Sequence, residues 1–448
     1  MDAGNISIII FAIAIVFYVG ELLPIPIIAM LSAAAMVLFG VIPANTAWAA
    51  FSQDSVLVMA GIMVVGSTLF STGAAGSLAD MIIEIAGGKP KLSILLMLAI
   101  SGVMSFVLGN TACTVIFLPL ILGVVIKAND KSVYEQKYMQ ILTIITSVGG
   151  LMTLVGSPVN ISASGMLVAA GYAPFTFTQF AKIALPMFIV VLIYAFTVGD
   201  KFADMIFGKN PEHCAFVKDF IAQREKSNLK AKDDAAITNG PVILKKAKYK
   251  KTISTVILLA TIGGLITQQY HGISLGTVAI LGGLACVITG CITLEELYHK
   301  IDWGTLLLLG GTIGSAAGLA NSGGGKIIAE FFVGLLGSAI TPISVFVVLS
   351  LISFIISQLM SNTASVGVMI PIGVSLAAEL GMNPLPVAIG ITLCASCSFI
   401  TPMASPTQAL VINWGSYRFM DYVKYSGPIS VLLVLMVLVL VPILYPLI

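Results

Sequence analysis

Two Asn-Thr pairs and two Ser-Pro steps are the residues on which this sequence could do chemistry. Asn110-Thr111 stands in GNTACTVIFLP, residues 109–119, and Asn362-Thr363 in SNTASVGVMIP, residues 361–371. Each pair is followed by a Ser-Pro step, Ser157-Pro158 in LMTLVGSPVN (151–160) and Ser405-Pro406 in FITPMASPTQ (399–408). The asparagines are 252 positions apart and the serines 248. Asn and Thr side chains are neutral donors. Where such a pair starts a half-helix inside an apolar run, free backbone N–H groups add roughly half a positive charge. That combination suits the oxygens of a carboxylate or sulfate. A proline inside an apolar run removes a helix donor and pushes the residue before it toward extended geometry. The carbonyls released there suit a hard cation such as Na+.

The composition says what must hold these residues. Hydrophobic residues make up 58% of the chain and charged residues 9%, against about 25% charged in soluble domains. The chain therefore belongs in lipid, and its net charge of +2 points to no nucleic-acid partner. Met1 to Gly20 lacks the basic start of a signal peptide and reads as a first span. The six cysteines lie at irregular intervals. Cys394 and Cys397 have CxxC spacing but no second pair nearby, and read as core residues.

Continuous spans are expected at 6–20, 25–42, 56–70 and 183–198, and again at 253–266, 278–288, 306–320 and 429–444. Residues 73–88, with Asp80 and Glu84 one turn apart, are expected to lie along the membrane surface. The apolar run 92–126, broken at Gly109-Asn110-Thr111, fits one very long helix or a re-entrant hairpin, and 345–378 is its counterpart. The runs 138–170 and 387–412 are spans with an unwound break. The expected fold is an all-α integral membrane protein of two repeats, 1–199 and 252–448, each of about five spans plus one hairpin. A polar linker, 200–251, joins them.

That linker holds 12 of the 22 Lys and Arg residues. Placing it in the cytoplasm of a cell-membrane protein puts 20 basic residues inside, leaves only Lys182 and Lys326 outside, and sets both termini outside. Each half then crosses an odd number of times, so the halves are inverted, the signature of many secondary transporters. Two hairpin tips and two breaks should then meet near the midplane, because irregular backbone at that depth must be buried or line a cavity. No charged residue falls near the middle of an expected span, where it would cost about 2.5–3.5 kcal/mol. The three histidines, His213, His271 and His299, fall in loops or at span ends, and there is no HExxH. An intramembrane enzyme is thus disfavoured, and no cofactor is expected. A channel stays open as an alternative.

At these motifs the sequence resembles the divalent-anion/sodium symporter family, which includes dicarboxylate, citrate and sulfate carriers. The resemblance covers nearly the whole chain and is most specific at Ser361-Asn362-Thr363. It implies substrate contacts at Asn110, Thr111, Ser361, Asn362 and Thr363, with Pro158 and Pro406 shaping the pocket and Thr407 beside it. It also implies one sodium site from Ser105, Asn110 and Gly156 and a second from Ser357, Asn362 and Ala404. It further implies a homodimer whose transport domain moves like an elevator against a fixed scaffold, carrying small divalent anions, C4-dicarboxylates first, with Na+. Two residues depart from the family pattern. Gly109 stands where the first tip usually has Ser, and Gln408 where the second loop often has Asn. A sodium-independent dicarboxylate exchanger and a sulfate carrier are the alternatives.

Overall fold

Prolines mark where the site helices begin. Pro90, Pro158, Pro342 and Pro384 each occupy a first helical position, where the missing N–H has no partner to lose and the fixed φ already suits a helix. The computed structural model describes residues 2–20, 22–72, 85–87, 89–127, 135–207, 241–328, 330, 341–402, 404–415 and 417–448. The first half contains α1 (Ala3–Val19), α2 (Ile25–Leu38), α3 (Ala44–Ala49), α4 (Asp54–Ser71), α5 (Pro90–Leu108), α6 (Asn110–Lys127), α7 (Glu135–Gly150), α8 (Pro158–Ala169), α9 (Ala181–Phe196) and α10 (Val198–Phe207). The second contains α11 (Pro241–Ile266), α12 (Leu275–Ile288), α13 (Leu294–Lys300), α14 (Trp303–Asn321), α15 (Pro342–Ser357), α16 (Asn362–Glu379), α17 (Pro384–Ser396), α18 (Pro406–Gly415) and α19 (Phe419–Leu444). Among the described residues there is no strand.

Helices occupy every expected span position. Among the described residues, five helical stretches are by themselves long and apolar enough to cross a membrane: Ala44–Leu69, Pro90–Leu108, Tyr249–Ile266, Trp303–Asn321 and Phe419–Leu444. Others are shorter. Both α2 and α12 have 14 residues, below the ~20 that a bilayer requires.

The broken runs at 92–126 and 345–378 fold back as hairpins. In the second, the Ser365 hydroxyl of α16 donates to the Ser353 carbonyl of α15 at 3.2 Å. In one continuous helix those residues would stand about 18 Å apart. In the first, Ser105 of α5 and Thr114 of α6 both bond Thr146 of α7, at 2.6 and 2.7 Å. The two arms thus meet on one residue.

The halves also pack reciprocally. A Cβ on Gly61 of α4 would come within 2.3 Å of the Ala279 backbone of α12. A Cβ on Gly311 of α14 would come within 2.6 Å of the Ala29 backbone of α2. Each contact is the other shifted by 250 positions in both partners. Small residues let these helix pairs touch backbone to backbone, which is how helices associate without a hydrophobic driving force in lipid.

The expected linker, 200–251, carries helix at both ends, since residues 198–207 form α10, bent 50° from α9, and residues 241–251 begin α11. Residues 208–240, and 73–84 of the expected surface helix, lie outside the described residues. Lys137 was counted as a loop cation. It lies on α7, 2% exposed, paired with Asp200 at 2.6 Å and Asp204 at 3.0 Å. The two carboxylates are four apart on α10 and so share one face, which brings both to the buried ammonium.

Candidate functional site

The second tip is a fully built corner. Ser361, at φ −62 and ψ 146, caps α16 by accepting the Ala364 N–H at 3.2 Å. The Asn362 backbone N–H donates to the Ala404 carbonyl at 3.2 Å, which ties the tip to the unwound stretch between α17 and α18. The Asn362 side-chain Oδ1 accepts from the Ser357 hydroxyl at 2.9 Å and the Ser398 hydroxyl at 2.6 Å. With Oδ1 held by two hydroxyls, Nδ2 faces the other way, and it has no protein acceptor among the described residues. Thr363 follows as the second residue of α16 and is nearly enclosed.

The first tip is built differently. Gly109 has φ +83, a conformation open to glycine and rare for other residues. Nothing lies within 4 Å of where its Cβ would be, so the space above the tip is open. Asn110 begins α6, and its Oδ1 accepts the neighbouring Thr111 N–H at 2.9 Å instead of a serine hydroxyl. Ser105 donates to the Thr146 carbonyl at 2.6 Å. Around Gly156 the backbone is crowded, because a Cβ there would meet the carbonyl oxygens of Gly150, Phe106 and Ser105 at 2.4–2.8 Å. The structure therefore gathers Ser105 and Gly156, and among the described residues no hydrogen bond joins the Asn110 side chain to either.

Matching bonds in the two halves set the shared geometry. Ser105 bonds the Thr146 carbonyl, and at the matching place Ser357 Oγ lies 2.5 Å from the Ala395 carbonyl oxygen. Thr153 bonds the Phe106 carbonyl, and Thr401 bonds the Gln358 carbonyl at 2.6 Å. Each bond pins a hairpin's end to the break beside it. Thr153 and Thr401 stand at the same place in the two Ser-Pro motifs, so the repeat itself held the signal for them. Ser398 has no counterpart in the first half, where Gly149 and Gly150 stand, and the repeat could not have revealed it.

Each half's post-break helix reaches into the other half, with α8 packed on α16 and α18 on α6 and α7. Ser147 of α7 and Thr407 of α18 approach to 3.4 Å, and Thr407 also bonds Ser405 at 2.8 Å. Thr407 is fully enclosed and joins the halves. Pro158 is half-buried and Pro406 exposed, each opening its helix. No hydrogen bond links Asn110 or Thr111 with residues 361–363 among the described residues. At the far end of α8, Asn45, Gln53, Ala169, Ile313 and Asn321 line part of a cavity of about 290 Å³ that none of the tip residues enters. Among the described residues no group of three His, Cys, Asp or Glu could hold a metal ion.

The profile of the citrate transporter family matches residues 9–343 and 335–447. The chain belongs to this family. Its relatives include an uncharacterised transporter of Haemophilus influenzae, 26% identical over 97% of this chain and 90% of its own length. They also include a sodium-dependent high-affinity dicarboxylate transporter of Caenorhabditis elegans, 23% identical over 94% of this chain and 80% of its own. The sodium-dependent dicarboxylate transporter SdcS of Staphylococcus saprophyticus is 20% identical over 89% and 78%. These relatives agree with the resemblance to divalent-anion/sodium symporters. Among solved structures, the Alcanivorax borkumensis YdaH transporter superposes with TM-score 0.59 at 14% identity, over 91% of this chain and 87% of that one. That likeness concerns the fold. The citrate transporter family member is thus an all-helical integral membrane protein related to transporters, not to enzymes.

Proposed function

We propose that this chain is a secondary active transporter of small dianions, C4-dicarboxylates first, coupled to Na+. The observation that carries the reading is the Asn362 amide. The Ser357 and Ser398 hydroxyls orient its side chain and the Ala404 carbonyl holds its backbone N–H, leaving Nδ2 and the start of α16 to meet a carboxylate. Asn110, Thr111, Ser361, Thr363, Pro158 and Pro406 complete the substrate site, with Thr407 holding α18 in place behind it. A dianion held this way is balanced by helix dipoles and neutral donors, without a buried Lys or Arg. Ser357, Asn362 and Ala404 form one cation site, and Ser105, Gly156 and Asn110 the other.

The packing supports a two-part machine. The hairpins cluster with α7, α9, α17 and α19, while α2, α4, α12 and α14 form the reciprocal pairs. The first group moves against the second as an elevator within a homodimer. The linker lies in the cytoplasm and both termini outside the cell membrane.

A second reading, sodium-independent exchange of one dicarboxylate for another, is favoured by the first tip alone, where Gly109 supplies no hydroxyl and Asn110 turns to its own helix. Sulfate is the alternative cargo. The test is uptake of labelled succinate into proteoliposomes. Accumulation under an inward Na+ gradient supports the symporter. Uptake only against internal unlabelled dicarboxylate supports the exchanger.

A further inference from the structure

We propose that Ser398 is a cation ligand of this transporter and makes the second-half site the tighter of its two sodium sites. This rests on the sodium-coupled reading above and deepens it. The argument is a count of hydrogens. Ser357 Oγ lies 2.9 Å from Asn362 Oδ1 and 2.5 Å from the Ala395 carbonyl, and Ser398 Oγ lies 2.6 Å from the same Oδ1. Those are three close oxygen–oxygen contacts. The four atoms carry only two hydrogens, one on each serine. One contact therefore sets oxygen against oxygen with no proton between them, in a place where Ser357 and Ser398 are both fully buried. A hard cation relieves that repulsion, because neutral hydroxyl, amide and carbonyl oxygens are its ordinary ligands. The Ala404 carbonyl, tied to the Asn362 N–H, sits at the edge of the same cluster.

The matching serine and asparagine of the first half, Ser105 and Asn110, lack this surplus. Ser105 has one close acceptor, the Thr146 carbonyl, and Asn110 Oδ1 already accepts an N–H. A serine cannot be supplied there either. At Gly149 a Cβ would come within 2.2 Å of the Gly102 carbonyl oxygen, and at Gly150 within 2.6 Å of the Gly156 carbonyl oxygen. The close approach of α5 and of Gly156 to the end of α7 thus removes the ligand that the stretch after α17 keeps.

The experiment is a pair of Na+ titrations on purified Ser398→Ala, Ser398→Cys and Ser398→Thr variants beside the wild type, with choline chloride holding ionic strength constant. One readout is the Na+ dependence of succinate uptake in proteoliposomes. The other is the Na+-dependent rise in thermal midpoint of the detergent-solubilised protein without substrate. Loss of partners even outside the first shell of a metal site lowers affinity on the order of 10–100-fold. The Ala and Cys variants should therefore need at least about tenfold more Na+ in both readouts. Thr should restore the Na+ response in both readouts. Wild-type Na+ midpoints in the Ala and Cys variants overturn the proposal and leave the sodium-coupled reading standing. A wild-type protein with no Na+ response in either readout overturns both.

Discussion

Adding one methyl group at Gly61 or Gly311 should loosen the molecule, and the same change at Gly263 should not. At Gly61 the new carbon would stand 2.3 Å from the Ala279 carbonyl carbon, and at Gly311 2.6 Å from that of Ala29. Carbon atoms pack best at about 3.5–4.0 Å, so each helix pair must part by about 1 Å. Overpacking of this kind costs about 1–3 kcal/mol. The contact is with backbone, which has no rotamer to yield, so the upper half of that range applies. Against it runs the helix preference for Ala over Gly, about 0.5–1 kcal/mol. Gly263 on α11 has nothing within 4 Å of its Cβ position, so only the favourable part remains there. The expected order of thermal midpoint in detergent is Gly263→Ala at or above wild type, with Gly61→Ala and Gly311→Ala both below it and similar to each other. The similarity is the sharper part, since both sites embody one contact repeated at 250 positions. Gly61→Ala and Gly311→Ala proteins as stable as Gly263→Ala would refute the reciprocal backbone packing.

Three further outcomes are expected. Asn362→Ala abolishes dicarboxylate uptake while expression and the gel-filtration profile stay as in wild type; normal uptake would remove the hairpin-tip site. Gly109→Ser lowers uptake and thermal stability instead of adding a useful hydroxyl, because a side chain at φ +83 carries about 1–3 kcal/mol of backbone strain; a stabilised, more active variant would show that the first tip tolerates the Ser361 conformation. Cysteines replacing Lys230 and Lys326 react with a membrane-impermeant reagent from opposite faces, whereas same-face labelling would break the inverted topology.

The site was legible as far as local chemistry repeats along the chain. The Asn-Thr starts at 110 and 362 and the Ser-Pro steps at 157 and 405 name both the helix ends and the breaks, because proline geometry acts on adjacent residues. The choice between a long helix and a hairpin at 92–126 needed Thr146, a residue in a third helix that receives both arms. Ser398 was hidden for the same reason. It bonds Asn362, 36 positions away, and nothing in its neighbours marks it. Gly109 was read as a missing hydroxyl, when its positive φ makes it a different backbone corner from Ser361. Lys137 looked like a loop cation because its two carboxylates, Asp200 and Asp204, stand more than 60 positions away on α10. Motifs repeated within the sequence could be found in it, and contacts between distant helices could not.

The most direct test of the account is labelled succinate uptake by reconstituted wild-type protein under an imposed inward Na+ gradient, with no dicarboxylate inside the vesicles. Concentrative uptake that collapses when Na+ is replaced by choline is the predicted result. Absence of uptake both with the Na+ gradient and with internal dicarboxylate would contradict the assignment of the Asn362 corner to a dicarboxylate.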